Sequence, residues 1–107
     1  MPNFINNIDY KKVLSLKDTV EINSALTLVD RDNLAIKILS VDKDRSIPTH
    51  SSTGDVLVIT IDGKFEMTIE NDSYVLSEGE SIIIPANAKH SLNAIESFKV
   101  VVIQVKP

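Results

Sequence analysis

The chain has 107 residues, a net charge of about −4 and no cysteine. That length suits one domain, and a domain of this size buries roughly 65% of its unfolded surface, enough for a core without a staple. The missing cysteines exclude disulfides, thiolate metal sites and cysteine nucleophiles and fit a cytoplasmic protein, the mixed charges give no basic stripe for nucleic acid, and no apolar run approaches a membrane span or a signal peptide.

Residues 1–20 read as an N-terminal arm, which covers a sheet or pairs with a second chain, because exposed sheet edges need protection. A short helix is expected at Tyr10–Leu16. Residues 21–107 read as the folded domain. Leu26 and Leu28 alternate with Thr27 and Val29, and Leu34–Val41 is apolar with few interruptions. Val56–Ile61 is β-branched and ends at Asp62-Gly63, a hairpin signal because glycine tolerates positive φ. In KFEMTIE, Phe65, Met67 and Ile69 share one face while Lys64, Glu66, Thr68 and Glu70 share the other. Asn71-Asp72 turns the chain into Ser73–Leu76, and Glu78-Gly79 turns it into Ser81–Ile84, which Pro85 closes. Phe98–Val105 makes a final strand, with Gln104 an unusual polar residue in it. Short strands at this spacing argue for an all-β sandwich or barrel.

Two stretches carry the candidate chemistry. IPTHSSTGDVLVITIDG (47–63) holds His50, and IPANAKHSL (84–92) holds His90; the chain has no other histidine. Together they resemble the paired motifs of the cupin superfamily. The first motif runs His-x-His, three or four residues, Glu, six residues, Gly. His50 and Gly63 match it, Ser52 replaces its second histidine and Val56 its glutamate. The second runs Gly, five residues, Pro-x-Gly, two residues, His, three residues, Asn. Gly79, Pro85 and His90 match, Asn87 replaces the second glycine, and Ala94 stands at the final asparagine. Asn87 is a conservative change because asparagine also visits the left-handed region. The wording THSSTGD and IPANAKHSL is similar to a group of small single-domain bacterial cupins with His-Ser-x-x-Gly-Asp.

The resemblance covers about residues 34–105 and implies an antiparallel jelly-roll barrel with a short arm, commonly paired into a homodimer. It also implies a metal or ligand site inside the barrel. The family's metal-binding members use three histidines and a glutamate, a set suited to Fe, Mn, Ni, Cu or Zn. Here His50 and His90 are the ligands retained. Asp55 stands one residue before the glutamate position, where strand alternation aims it to the other face unless a bulge at Gly54 re-aims it. Its structural alternative is turn chemistry, with the carboxylate holding backbone donors. The pocket is expected to be lined by His50, Ser52, Val56, Phe65, Met67, His90 and Gln104. Phe65 and Met67 also read as plain core, the two histidines as turn residues satisfying nearby backbone, Gln104 as an edge residue facing water, and Tyr74 as cover for the barrel exterior.

Three functions follow. A small-molecule-binding cupin comes first. A metal-dependent oxygenase or isomerase using a reduced two-histidine site is the alternative. A non-catalytic structural or interaction protein with a filled barrel is the third. Fold alone does not choose among them.

Overall fold

A computed structural model describes residues 4–107, and Met1–Asn3 of the arm lie outside the described residues. The fold is all-β, with nine strands and one short helix, α1 (Leu16–Thr19), among the described residues. The strands are β1 (Ala25–Arg31), β2 (Leu34–Val41), β3 (Ser46–His50), β4 (Asp55–Asp62), β5 (Lys64–Ile69), β6 (Asp72–Ser77), β7 (Ser81–Ile84), β8 (His90–Ala94) and β9 (Phe98–Val105). One sheet has the order β1-β2-β9-β4-β7 and the other β3-β8-β5-β6. All pairings are antiparallel. Two such sheets packed face to face, with the chain switching between them, make the jelly roll.

Period-2 alternation decides what each sheet buries. Val56, Val58 and Thr60 of β4, Phe65 and Met67 of β5, Leu92 of β8 and Phe98 and Val100 of β9 are buried. All but Thr60 form one cluster between the sheets. Thr60 is 1% exposed and its Oγ1 has no hydrogen-bond partner. An unpaired buried hydroxyl is unfavourable, and valine keeps the shape without it. Thr60→Val is therefore expected to raise stability by about 1 kcal/mol in urea melts. A loss of stability would show that the hydroxyl has a partner in solution.

The alternate residues build a second cluster on the outer face of the five-stranded sheet, where Val29, Ile38 and Val101 are covered by Ile8, Leu16 and Val20. The arm also guards the free edge of β1. Asn6 N–H donates to the Leu28 carbonyl at 2.7 Å, and Asn7 Nδ2 donates to the Thr27 carbonyl at 2.7 Å. A bulge at Thr27–Val29 lets both Leu28 and Val29 be buried, since an extra residue breaks strict alternation.

Two local expectations change. Tyr10–Leu16 is not a helix. Lys11 has φ +59°, Val13 and Leu14 are exposed, and the helix begins only at Leu16, after Ser15. Nor does Asp62-Gly63 close a hairpin. β4 pairs with β7 and β9, and β5 with β6 and β8. Gly63, at φ +78°, turns the chain from one sheet into the other. A true hairpin joins β5 to β6 through Glu70-Asn71, with Glu70 at φ +53°. Among the described residues, no helix is long and apolar enough to cross a membrane.

Candidate functional site

His50 ends β3 and His90 begins β8, and the two are directly opposite in the pairing. The register explains how. Ile47 pairs with Leu92, yet the next pair is His50 with His90. Three steps along β3 match two along β8, so one extra residue is absorbed at Pro48–Thr49. Proline cannot donate to a ladder and is tolerated because β3 is an edge strand. Without this bulge, Thr49 would stand opposite His90 and His50 would face away.

The ring centroids are 4.2 Å apart with planes at 62°. His90 is 4% exposed, whereas His50 is open to solvent. Each imidazole is anchored in the same way. His50 Nδ1 lies 2.9 Å from the Pro48 carbonyl, and His90 Nδ1 lies 3.0 Å from the Ala88 carbonyl. A carbonyl only accepts, so Nδ1 carries the proton and donates. In the neutral ring this leaves Nε2 with a free lone pair. The site therefore presents two adjacent acceptors, or two metal-ligand nitrogens.

Two cavities meet at this pair. The outer one, about 420 Å³, is walled by polar groups of Ser51, Ser52, Thr53 and Gln104, with Val56, Val102 and the two imidazoles completing it. The inner one, about 100 Å³, lies between the sheets against Val58, Met67, Ile84 and Leu92. His50, His90, Val56 and Val102 line both. They form the neck between a polar mouth and an apolar chamber.

Of the residues singled out in the sequence, His50, Ser52, Val56, His90 and Gln104 border the mouth and Met67 borders the chamber. Phe65 borders neither. It is fully buried and stacked on Phe98, with centroids 4.5 Å apart, near the Gly63 turn. Gln104 faces inward because it alternates in phase with Val100 and Val102, and its Nε2 donates to Ser52 Oγ. Tyr74 is exposed on β6. Val102 and the chamber walls Val58, Ile84 and Leu92 were not singled out in the sequence, because nothing in an apolar strand distinguishes a pocket wall from core. In-phase alternation along the strand is the signal, with Val56 finding Val58 on β4 and Gln104 finding Val102 on β9.

The two motif loops are stitched together. Asn87 N–H donates to the Ser52 carbonyl at 2.7 Å, and Asn87 takes the left-handed conformation, φ +68°. Asp55 Oδ1 accepts from Ala86 N–H at 2.9 Å. Its carboxylate holds the loop before β8, which is turn chemistry.

The donor set does not fit the four-ligand site of metal-binding cupins. Among the described residues, no three side chains from His, Cys, Asp and Glu come together. Val56 offers an isopropyl group where a carboxylate would stand. Two neutral imidazoles leave a divalent cation's charge uncompensated.

Comparisons with known proteins agree with this fold. A family model described as the cupin domain matches residues 37–105. A crystal structure of a conserved protein of unknown function from Streptococcus pyogenes is 41% identical, covers 99% of this chain and 96% of its own, and superposes with a TM-score of 0.93. A cupin 2 conserved barrel domain protein from Leptotrichia buccalis is 32% identical over 87% of this chain and 47% of its own, with a TM-score of 0.83. A cupin superfamily protein from Desulfitobacterium hafniense shares the fold, at 21% identity over 96% of this chain and 98% of its own, with a TM-score of 0.88. A search of curated proteins finds no match. Matched by the family model over more than half its length, and carrying the two motif histidines on paired strands of one sheet, the chain belongs to the cupin family.

Proposed function

We propose that the barrel binds a small organic molecule at its histidine end. The observation that carries this reading is the neck itself. His50 and His90 stand side by side between a polar mouth and an apolar chamber, each with its Nδ1 tied back to the chain. Sites of this kind, apolar with a few convergent polar groups, are the usual form of small-molecule pockets. A barrel filled by its own side chains would leave no such chamber.

The paired Nε2 atoms support a second reading, a metal-dependent oxygenase or isomerase holding Fe, Mn, Ni, Cu or Zn on His50 and His90. One set of measurements separates the two. A ligand at a hundred times its Kd adds about 2.7 kcal/mol of stability, which raises the melting point of a domain this size by roughly ten degrees or more. A metabolite screen on native protein is expected to give such a shift, and the His50→Ala and His90→Ala variants are expected to lose it. Elemental analysis of protein purified without chelator or affinity nickel is expected to return less than about 0.1 equivalent of metal. Near-stoichiometric metal that disappears in the two variants would instead establish the metal reading.

The protein pairs into a homodimer through the outer face of the five-stranded sheet. Beyond Val29, which the arm covers, Ile36, Ile103, Leu57 and Ile83 continue one register row across β2, β9, β4 and β7. The row ends at Ile83, 62% exposed, with Val105 nearby at 53%. A two-fold axis lets one apolar face cover its own copy. Light scattering is expected to give a dimer at micromolar concentration and a monomer for Ile83→Lys. A monomeric parent protein would refute the interface. We infer a cytoplasmic location, the compartment that a sequence without cysteine fits.

A further inference from the structure

We propose that the molecule taken by this mouth and chamber is uncharged, with a carboxamide-type head and a short apolar end; this rests on the reading that the barrel binds a small organic molecule. The charge follows from the walls. No Asp, Glu, Lys or Arg lines either cavity. An ion at the neck would meet no opposite charge, and one carried into the chamber would also leave water, which is strongly unfavourable.

The head follows from counting donors and acceptors. The two Nε2 lone pairs need donors. Ser52 Oγ already accepts from Gln104 Nε2 and from Gly54 N–H at 3.5 Å. Its own O–H is free to donate and Gln104 keeps a second amide hydrogen, while Gln104 Oε1 adds one acceptor and the Ser51 and Thr53 hydroxyls serve in either sense. The neck thus asks for two N–H or O–H groups on one side and a carbonyl-like acceptor on the other. A carboxylate has no donor for the imidazoles. An ammonium has no acceptor for Ser52 and Gln104 and carries an unpaired charge. A hydroxyl has one hydrogen for two lone pairs. A primary carboxamide has two N–H groups and a carbonyl in one plane.

The tail follows from size. The inner chamber is about 100 Å³ and its walls beyond the neck are apolar. A dry apolar cavity of about 150 Å³ holds benzene, so this one takes an alkyl group of roughly three or four carbons. The wide mouth leaves room for a larger, polar remainder of the natural ligand to reach solvent.

The test uses three molecules with one four-carbon skeleton and three heads: butanamide, butanoate and butylammonium. Each is titrated into the full chain by NMR at about pH 8, where ordinary imidazole is neutral. The methyl groups of Met67 and Ile84 report the chamber, and the backbone amides of Ser52 and Gln104 report the mouth. Butanamide is expected to shift both sets saturably with a Kd of about 1 mM, fitting so small a molecule. The two ions are expected to bind at least about ten-fold more weakly, and Gln104→Leu to cost butanamide a similar factor. Butanoate or butylammonium binding as tightly as butanamide overturns the head while leaving the binding reading intact. Butanamide shifts confined to the mouth overturn the tail. If none of the three shifts either set, the ligand class is wrong; the binding reading then stands or falls separately on the metabolite screen.

Discussion

Phe65→Ala is expected to lower the unfolding free energy by about 3–5 kcal/mol, the range for emptying a fully buried aromatic site. The side chain is 0% exposed and stacks on Phe98, itself 1% exposed. The loss combines burial, the cavity left behind and the ring–ring contact. Total stability of such domains is about 5–15 kcal/mol, so the variant stands near the edge of folding. Urea denaturation checks the size of the effect. A loss below about 1.5 kcal/mol would mean that the two sheets collapse onto the gap. Phe65→Leu should retain most of the stability, and it should bind ligand like the parent, because Phe65 touches neither cavity.

Gly63→Ala is expected to cost about 3–5 kcal/mol, among the larger effects of a single methyl group. The residue has φ +78°, and an added Cβ would lie 1.9 Å from the Ser97 carbonyl oxygen and 2.7 Å from Phe98 Cα. Both are backbone atoms, so no side chain can swing aside. β9 would have to retreat from the corner, and Phe98 would retreat from Phe65 with it. Gly79 is the internal control. Its φ is +88°, but an added Cβ would meet nothing within 4 Å. Gly79→Ala should cost only the left-handed penalty, about 1–2 kcal/mol. Equal losses in paired urea melts would show that the corner relaxes and that conformation alone makes glycine necessary.

These two residues explain what was and was not legible in the sequence. Gly63 read as a turn glycine, and it is one, but the sequence could not say which strands the turn joins. That depends on pairings made far along the chain. Strands β1, β2, β4 to β7 and β9 showed themselves through alternation or β-branched runs. β3 and β8 did not. SIPTH contains a proline and one large apolar residue, and HSLNA contains one. Their strand character comes from pairing with each other and, for β8, with β5. The in-phase positions His90, Leu92 and Ala94 were the available signal. The histidine pair was implied only by family resemblance. No spacing rule brings together residues forty positions apart. Gln104 was ambiguous because a polar residue near a strand end serves either face, until Val100 and Val102 fix the phase. Gly54 reads in the sequence as the place for a bulge beside Asp55. Its φ is not positive; an added Cβ would lie 2.3 Å from the Val105 carbonyl oxygen. It is glycine because β9 ends against it.

The register slip at Pro48–Thr49 has a wider meaning. A chain one residue shorter there would run straight along β8 and still set a histidine against His90. What the shorter chain would lose is the relation of that histidine to Pro48. The proline carbonyl would then belong to the immediately preceding residue, and the hold on Nδ1 that matches Ala88 and His90 would be gone. The added residue therefore governs the orientation of a ring more than its address. Two cupins with identical histidines, differing by one position in an edge strand, would greet the same visitor with different nitrogens. Comparing residue types column by column would miss the difference.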